Sequence, residues 1–388
     1  MLIDCMNSHA HPAKKKERPT VSRIIFFIRT NAVMLIAAAA ALITSIIVPP
    51  DAEYLGYFDF RTLTCLFTVL AVVCALKNVR FFYTVAEKIV KKFGNIRMAS
   101  LALVYITFIG SMLIANDMAL LTFLPLGYFV LISAKKEHYM CVVFILQNIA
   151  ANLGGMLTPF GNPQNLYLYS KFEIPDLEFM SIMLPPFLLA IALITLSVFI
   201  FIKPEPIQFT GSTKKLPRAR VAFYLVLFAF SILCIFRFVP YQLALLVIPP
   251  AIFISDRMAL AKVDYGLLLT FVFFFIFSGN MARIDAVREM FSTLLETSTL
   301  AVSAISCQFI SNVPSAILLS QFTENYRELL LGVNIGGCGT IISSLASLIT
   351  FREYSEHNPG SAGKYLLVFS AFNFAFLAIM LVFCLIII

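Results

Sequence analysis

Long, continuous apolar blocks separated by short polar stretches run through this sequence from about residue 30 onward. The apolar residues are not confined to alternate positions, as they are in transmembrane strands, so the pattern predicts helices. A helix needs about 20 residues to cross the hydrocarbon core of a bilayer. On that basis spans are expected near residues 30–48, 62–77, 139–169, 179–202, 221–238, 242–255, 265–279, 329–350 and 364–388.

Two further apolar segments, 98–133 and 298–324, are too long for one crossing, and each is interrupted at a polar tip. The tips read ANDMA at 115–119 and SNVPS at 311–315. Each segment is either a re-entrant hairpin or a pair of complete spans. Both arrangements return the chain to the side that it left, so the pattern leaves this choice open.

Two of the spans contain residues that disfavour a helix. The stretch NLGGMLTPFGNPQNL at 152–166 breaks the span at 139–169, and NIGGCGTIISSLASL at 334–348 breaks the span at 329–350. About 12 to 15 apolar residues flank each break, too few for separate crossings. Irregular backbone at membrane depth is tolerated only where protein or a water-filled cavity satisfies its polar groups. We therefore predict two broken transmembrane helices.

Matching elements recur in the same order in the two halves of the chain. The hairpin tips pair Asn116 with Asn312, and the breaks pair Asn152 with Asn334. Such internal repetition is typical of transporters. An amphipathic stretch suited to the membrane interface precedes each hairpin, at 75–93 and at 277–295.

The number of crossings predicts that the second copy is inverted relative to the first. Each copy holds an even number of crossings, so tandem copies alone would lie parallel, and one additional span between them reverses the second. The predicted fold class is an all-α polytopic membrane protein with an inverted-topology repeat. Its parts are a basic cytoplasmic N-terminus at 1–29, a first repeat at 30–202, a cytoplasmic linker at 203–220, an inverting helix at 221–238 and a second repeat at 239–388.

Composition agrees with a membrane protein and excludes an ordinary soluble domain. Hydrophobic residues make up 60% of the chain, charged residues 13%, and the mean hydropathy is +0.90, whereas soluble domains are about half apolar and a quarter charged. The net charge is +8. The basic residues that produce it cluster on one side of the membrane, so no nucleic-acid partner is expected. Basic clusters place the N-terminus of this multi-pass protein of the cell membrane in the cytoplasm. These clusters lie at 14–18, 88–97, 135–136 and 214–220.

Residues suited to metal or acid–base chemistry are scarce in the apolar blocks. The eight cysteines are scattered without a CxxC pair, and the four histidines lie near predicted helix ends or tails. The phosphate-binding pattern GxxxxGK[ST] is missing from the sequence, so energy has to come from an ion gradient or a separate ATPase. We predict no cofactor other than Na⁺ or H⁺ as a coupling ion.

The two breaks supply groups expected to bind ions. Gly154 and Gly155 suit the end of a first half-helix, which frees carbonyl groups for a small cation. Asn162 and Pro163 are typical of the N-cap and first turn of a second half-helix. In the second copy Ser343 and Ser344 are expected to cap the matching half-helix. Together with one start at each hairpin tip, four helix N-termini are expected to converge, and their unpaired N–H groups suit an anion.

The predicted binding residues come from both copies. The tip helices are expected to start at Asn116 or Asp117 and at Ser311 or Asn312, with Pro314 just inside. The residues assigned to the anion are Asn116, Asp117, Thr158, Gly161, Asn162, Asn165, Ser311, Asn312, Thr340, Ser343 and Ser344. The residues assigned to a cation such as Na⁺ are Asn116, Asn152, Gly154, Gly155, Asn312, Asn334, Gly336 and Gly337.

Asp117 is the one carboxylate predicted at membrane depth. Acids inside membranes are expensive and usually functional, so Asp117 is a candidate to carry a proton, to ligate sodium or to donate to a protonated substrate. The alternative is an N-cap that only stabilises the second arm of its hairpin. Its counterpart in the second copy is Val313, which makes any proton role asymmetric.

The strings GGMLTPFGNPQN, ANDMALLTFLP and SNVPSAILL resemble signatures of the ion transporter superfamily. That group comprises citrate transporter-like permeases, arsenical-pump membrane proteins, sodium/proton antiporters and divalent anion/sodium symporters. The similarity covers the chain from about residue 30 onward. It implies inverted repeats with two re-entrant hairpins, a homodimer formed through a scaffold domain, and movement of a transport domain in an elevator fashion.

The hairpin tips resemble different branches of the superfamily. The dicarboxylate branch carries Ser-Asn-Thr at each tip, whereas the tips at 115–117 and 311–313 keep the Asn and lack the Thr. The Asn-Asp pair of the first tip is similar to the arsenical-pump branch, which implies an ATPase partner. In that branch Cys307 and Cys338 would be thiol contacts for trivalent arsenic; the alternative is that both are small packing residues.

The sequence thus predicts a secondary active transporter in the lipid bilayer. Its cargo is a small anion or oxyacid, either a carboxylate such as citrate or arsenite, coupled to H⁺ or Na⁺. A sodium/proton antiporter without an organic substrate is the alternative within transport. Mirrored breaks favour alternating access over a channel, and one deep acid without a deep histidine disfavours a membrane enzyme.

Overall fold

The computed structural model describes residues 31–207 and 216–388, and these ranges fold almost entirely as α-helices. The segment 1–29, predicted to be cytoplasmic, lies outside the described residues, as does part of the linker predicted at 203–220.

The helices before the linker follow the order of the apolar blocks. They are α1 (Ala32–Ile47), α2 (Phe60–Asn78), α3 (Phe81–Val90), α4 (Ile96–Ile114), α5 (Asn116–Ser133), α6 (Met140–Gly154), α7 (Pro163–Lys171) and α8 (Asp176–Phe201). Short 3-10 helices at Ala52–Tyr57, Glu137–Tyr139 and Gly155–Leu157 lie between them.

The helices after the linker begin with α9 (Arg218–Ile235), which has no counterpart among the described residues before the linker. The next eight repeat the order of α1 to α8. They are α10 (Tyr241–Ala261), α11 (Tyr265–Ala282), α12 (Asp285–Thr297), α13 (Thr299–Ile310), α14 (Asn312–Leu319), α15 (Tyr326–Ile335), α16 (Leu345–His357) and α17 (Ala362–Ile387). Helix α10 extends beyond the span predicted at 242–255, with a non-helical residue at Asp256.

Polar residues at the ends of the apolar blocks determine where several helices start. The Asp59 carboxylate accepts the N–H of Thr62 at 2.9 Å and begins α2. Asn95 accepts the N–H of Met98 at 2.9 Å and begins α4. Such caps satisfy N–H groups that the first turn of a helix leaves unpaired.

Nine helices in the described ranges are long and apolar enough to cross a membrane, so the chain is a multi-pass membrane protein. Helices α13 and α14 are not among them. With 12 and 8 residues they are about 18 and 12 Å long, well short of a hydrocarbon core of about 30 Å.

The loops that follow α1, α7, α9 and α11 lie together at one end of the molecule, called here the first face. Arg283, just after α11, bonds the Asp51 carboxylate at 2.7 Å, and this bond holds the pKa of Asp51 below its ordinary value. Arg237, after α9, donates to the carbonyl of Glu173, after α7, at 3.1 Å.

The loops that follow α2, α5, α8 and α10 lie together at the other end, called here the second face. Lys262, after α10, donates to the Asn78 amide oxygen at the end of α2 at 2.8 Å. Lys136, after α5, pairs with Glu205, after α8.

The two hairpins therefore start from different faces. Helix α4 starts and α5 ends at the second face. Helix α13 starts beside the first face, where the N–H of Leu300 donates to Glu328 at 2.9 Å. The end of α14 lies there too, since the ring of Phe322 stacks on Phe291 of α12 with centroids 4.9 Å apart.

The helices group into two bundles according to the helices that they pack against. In the five-helix bundle, α1 packs on α11, α10 packs on α2, and α9 packs on both α2 and α10. The ten-helix bundle contains α4 to α8 and α13 to α17. The amphipathic helices α3 and α12 connect the two bundles. Helix α3 lies within the stretch predicted at 75–93, and α12 ends two residues beyond the stretch predicted at 277–295.

The packing pattern largely persists when the two halves of the chain are exchanged. The pair α1 and α11 has its counterpart in α10 and α2, and the pair α5 and α16 has its counterpart in α14 and α7. The pairs α6 with α16 and α15 with α7 correspond in the same way.

The linker after α8 is fastened to the second face. An isolated bridge joins Asn95 to Pro206. The Glu205 carboxylate accepts hydrogen bonds from Lys136 and, at 2.7 Å, from the Tyr139 hydroxyl. The bond from Lys136 holds the pKa of Glu205 below its ordinary value.

We expect Glu205→Gln to lower the Tm more at neutral pH than in acid. A carboxylate with a depressed folded-state pKa stabilises the fold above its ordinary pKa of 4.5 and loses that contribution as the pH falls through the folded-state value. Thermal unfolding in detergent should show the difference from wild type shrinking below about pH 4. Glu137→Gln removes an exposed carboxylate of the loop after α5, next to Lys136, and is the control. Equal effects of the two substitutions at every pH would contradict a stabilising role of the Glu205 carboxylate.

Candidate functional site

Each hairpin turns at a residue in a strained backbone conformation. Ala115 has φ 67° and ψ 153°, and Ser311 has φ 74° and ψ 160°. This region of conformational space is essentially restricted to glycine, and a side chain there costs about 1–3 kcal/mol. The same strain at matching positions in both halves points to a geometric requirement at the tips.

Of the helix starts predicted at the tips, the structure has Asn116 and Asn312. Ala115 and Ser311 hold the N-cap positions, without side-chain caps, and Asn116 and Asn312 are the first helical residues. Asp117 is the second residue of α5 and therefore not an N-cap. The proposal that it only caps its helix is wrong.

The two tip asparagines make the same local contact. The Asn116 amide oxygen accepts the N–H of Asp117 at 2.9 Å, and the Asn312 amide oxygen accepts the N–H of Val313 at 2.9 Å. The contact satisfies one N–H that each helix start leaves free. It also fixes the asparagine side chains at the tips.

Each tip lies against the break in its own half. Thr158 donates to the Met112 carbonyl at 2.9 Å, and Thr340 donates to the Gln308 carbonyl at 2.9 Å. Both acceptors stand three residues before the strained tip residue. The hairpin tips therefore reach the breaks and not the loops of the opposite face.

The first break begins at a close crossing of two helices. Helix α6 ends at Gly154, and a Cβ there would collide with the carbonyl oxygen of Phe108 in α4. Its counterpart Gly336 abuts Ala304 of α13 in the same way. Glycine is needed at both positions because the backbones touch.

Across the first break, Gly161 lies against Gly155, so closely that a Cβ on either residue would meet the other side of the turn. The N–H of Gly161 donates to the Thr158 carbonyl at 3.2 Å. Asn162 then holds the N-cap position of α7 and Pro163 the first turn, as predicted. The Asn162 side chain does not cap α7, however, and is directed into the core instead.

One of the carbonyls predicted to be free for a cation, that of Gly155, accepts a hydrogen bond in this structure. The Asn165 side-chain amide donates to the carbonyls of Gly155, Met156 and Thr158 at 3.2 to 3.4 Å. The Gly155 carbonyl is therefore not bare, because an amide two positions after Pro163 reaches back to it. A cation site at these carbonyls stays a prediction.

The second break uses a different residue for the same purpose. The Gln308 side chain, from α13, donates to the carbonyls of Gly336 and Cys338 at 3.0 and 3.1 Å. Its amide oxygen accepts the N–H of Thr340 at 2.8 Å. The second break is thus tied to its hairpin, whereas the first is tied mainly to its own second half-helix.

Of the two serines predicted to cap the second half-helix of this break, only Ser344 does so. Ser344 is the N-cap of α16 and accepts the N–H of Ser347 at 3.2 Å. Ser343 donates to the Gly337 carbonyl at 2.8 Å, and its own carbonyl accepts the N–H of Asn312 at 3.0 Å. The tip of the second hairpin therefore lies on this turn.

Asn334 joins the two halves at the centre of the site. Its amide nitrogen donates to the Asn165 amide oxygen at 2.6 Å and to the Leu330 carbonyl at 2.8 Å. Its amide oxygen accepts from Asn162 at 3.3 Å and from Gln164 at 3.5 Å. The side chain is 1% exposed, so every polar atom of this amide is both buried and satisfied.

Asn152, the counterpart of Asn334, is bonded differently. Its amide oxygen accepts from the Asn116 side chain at 3.3 Å, and its carbonyl accepts from the Asn162 side chain at 3.3 Å. Asn312 and Asn152 both approach Gly337, which brings the second tip to the same place. The tips and breaks of both halves thus converge around Asn152.

Several buried polar atoms at this convergence have no hydrogen-bond partner among the described residues. They are the amide nitrogen of Asn152, the amide oxygens of Asn162 and Gln164, and one carboxylate oxygen of Asp117. Buried polar groups are normally paired. Unpaired buried donors and acceptors are what a small polar ligand, an ion or water would satisfy.

Gln164 and Gln308 were not singled out as site residues by the sequence pattern. Gln308 stands alone among apolar residues in AISCQFI, and that isolation is a usable signal. Gln164 lies within the stretch already singled out and carries no separate signal.

The two cysteines near the second break are fully buried. Cys307 lies beside Gly336, as its counterpart Ser111 lies beside Gly154. Cys307 therefore fills a helix crossing. Contact of either thiol with arsenic stays a prediction, and within the described ranges no group of three or more His, Cys, Asp or Glu side chains is placed to hold a metal ion.

The protein is helical and multi-pass, and its broken helices bring buried polar groups together away from both faces. This architecture is typical of membrane transport proteins. The family described as citrate transporter matches residues 20–325, and the chain belongs to the citrate transporter family. This membership confirms the resemblance to citrate transporter-like permeases and identifies the chain as a transporter.

Curated relatives agree with this membership. The chain is 31% identical over 327 residues to an uncharacterized transporter of Methanocaldococcus jannaschii, which covers 84% of this chain and 88% of the relative. It is 26% identical over 306 residues to the inner membrane protein YbiR of Escherichia coli, which covers 77% of this chain and 81% of the relative.

Proposed function

We propose that this protein is a secondary active transporter of a small anion or oxyacid, either a carboxylate such as citrate or arsenite, coupled to H⁺ or Na⁺. The observation that carries the proposal is the convergence of two hairpin tips and two helix breaks around Asn152, with unpaired polar atoms among them. Helix starts at this point favour negative charge, and amide oxygens favour a small cation.

The proposal includes an inverted repeat with re-entrant hairpins. It is supported by the hairpins starting from different faces, by the short arms α13 and α14, and by tips that contact the breaks. Helix α14 has eight residues, which is too few to cross a bilayer as a separate span.

The proposal also includes alternating access by movement of the ten-helix bundle against the five-helix bundle. Between the bundles, α7 packs on α2 and α14 packs on α11. The exchanged pairs, α16 with α11 and α5 with α2, do not pack to that extent among the described helices. In a repeat with two similar halves, the exchanged contacts define the opposite end state.

The lysines of the second face give the orientation. Four lysines lie at that face: Lys91, Lys92, Lys135 and Lys136. The positive-inside rule therefore assigns the second face to the cytoplasmic side of the cell membrane. Helices α7 and α14 end at the first face, so their contacts close the outer side. We assign this structure to the inward-facing end state, and we propose a homodimer as the assembly.

Asp117 favours a second candidate function, a sodium/proton antiporter without an organic substrate. One of its carboxylate oxygens is buried without a partner among the described residues. A carboxylate in that position is suited to alternate between a proton and sodium. The two candidates differ in whether flux requires an anion.

The experiment that tests the proposal is flux into proteoliposomes. Citrate, succinate and arsenite are offered with imposed sodium or proton gradients. We expect the triple variant Asn116→Ala, Asn162→Ala and Asn312→Ala to reduce flux of the transported anion by about 100-fold, because it removes side chains from both tips and one break that hold the site together.

A matched triple variant removes three amides outside the site, Asn31→Ala, Asn280→Ala and Asn373→Ala, and controls for general loss of stability. Wild-type flux in the site variant would contradict the proposed site. Sodium-dependent proton flux without any anion would replace the first candidate by the second.

A further inference from the structure

The corner between α9 and α10, residues 236–240, contacts the first broken helix. Arg237, in this corner, donates to the Tyr169 carbonyl at 2.8 Å and to the Glu173 carbonyl at 3.1 Å. Its guanidinium lies 4.5 Å from the centre of the Tyr169 ring. The ring of the preceding residue, Phe236, meets Phe160 of the break edge to face, with centroids 5.9 Å apart. One corner of the five-helix bundle thus holds both the break and the end of α7.

The chemistry of this contact is that of a cation at a helix C-terminus. The carbonyls at the end of α7 carry partial negative charge, which favours a guanidinium. No carboxylate lies within ion-pair distance of Arg237 among the described residues. The cation is therefore held by helix carbonyls and an aromatic ring.

The backbone of Arg237 is strained to make this contact. Its φ of 66° places a long side chain in the left-handed region, which is uncommon for residues other than Gly, Asn and Asp. The contacts with α7 compensate for this conformation.

The contact has no equivalent in the other half of the repeat. Arg237 follows α9, the helix without a counterpart, and it bonds α7 but not α16. Exchange of the two halves moves α7 away from the five-helix bundle without bringing a matching arginine to α16. The two end states are therefore unequal in this contact.

We propose that Arg237 is a latch that stabilises the end state closed at the first face and sets the resting orientation of the transporter. The proposal rests on the alternating access proposed above. The latch joins the two bundles, so it has to open whenever the ten-helix bundle moves. Its loss favours the opposite state and speeds the return of the empty carrier.

The expected effect is a shift of the equilibrium between end states. Two hydrogen bonds from a charged donor together with an aromatic contact correspond to at least about a tenfold change in the ratio of the states. Arg237→Gln should produce that shift. Arg237→Lys keeps the charge but loses the paired geometry and should lie between wild type and Arg237→Gln.

The test measures the distance between the bundles directly. Spin labels are placed at Leu55 and Leu177, whose side chains are 71% and 82% exposed, in protein whose native cysteines have been replaced and whose flux is retained. Pulsed dipolar spectroscopy then gives the population of each distance. Arg288→Gln is the matched control, since Arg288 also bonds a helix-end carbonyl at the first face, that of Ala282, but does not join the two bundles.

The outcomes separate the latch from the transport function. A tenfold gain of the second distance in Arg237→Gln, with Arg288→Gln unchanged, supports the latch. The wild-type distribution in Arg237→Gln, in protein that shows two distances and transports, overturns the latch and leaves the function standing. A single distance in every variant overturns both the latch and the elevator movement. Two distances that respond to Arg237 without flux of any offered solute keep the latch and overturn the proposed cargo.

Discussion

Asn334→Ala is expected to lower transport by about 100-fold, through the junction between the two halves. The substitution leaves the Gln164 amide nitrogen and the Asn165 amide oxygen without a partner and removes one of the two bonds of the Asn162 amide nitrogen, at positions that are at most 1% exposed. Each buried polar group left unpaired costs about 1–3 kcal/mol. Anion flux in proteoliposomes and Tm in detergent are the two measurements.

A fall in Tm without loss of flux would show that the junction only supports the fold. Asn334→Asp keeps the volume and one acceptor oxygen but replaces the donor to Asn165 and Leu330 by a second acceptor, so it should lower flux as well. Asn373→Ala is the control, since Asn373 is also fully buried but donates only to the Phe369 carbonyl of its own helix. Equal loss of flux in Asn334→Ala and Asn373→Ala would contradict a special role for the junction.

The local conformation of the breaks could be predicted from residue type. Gly154 ends α6, Pro163 opens α7, and Ser344 caps α16, as the sequence indicates. These residues carry their conformational preference with them: glycine tolerates close backbone approach, proline fits a first turn, and serine accepts an N–H. Each of these conformations is determined by the residue at that position, so the sequence of the break is enough to predict it.

The hydrogen-bond partners of the carbonyls at the breaks could not be predicted, because they are side chains distant in the sequence or folded back onto the break. Gln308 lies 28 residues before the Gly336 carbonyl that it bonds, and Asn165 folds back on three carbonyls at once. When the two halves of the chain are aligned, Gln308 and Asn165 do not fall at matching positions. The two halves solve the same problem with different residues, so symmetry alone gives the wrong partner.

The hairpin tips show a second limit. Asparagine and aspartate favour N-caps, yet Ala115 and Ser311 occupy the caps with strained backbones. Their side chains give no sign of a positive φ. The strain follows from the tip being pressed against its break by contacts such as that of Thr158 with Met112, which only the assembled bundle creates.

Asp117→Asn is expected to uncouple transport from its driving gradient. Asp117 lies in the first turn of α5, its N–H bonds Asn116, and one carboxylate oxygen is buried without a partner among the described residues. The amide keeps the shape of the side chain but neither binds a proton nor carries charge. If Asp117 carries the coupling ion, gradient-driven uptake should fall by about 100-fold, and exchange of labelled for unlabelled anion across the membrane should persist.

The persistence of exchange separates the two candidate functions. An anion transporter still binds its anion at the tips of Asp117→Asn, because Asn116 and Asn312 remain, so counterflow continues after the gradient ceases to act. An antiporter has only Asp117 to exchange its ions and loses all flux. Asp256→Asn is the matched control, since that carboxylate accepts from Asn78 within the five-helix bundle. Unchanged gradient-driven uptake in Asp117→Asn would show that the coupling ion binds elsewhere, at the amide groups around Asn152.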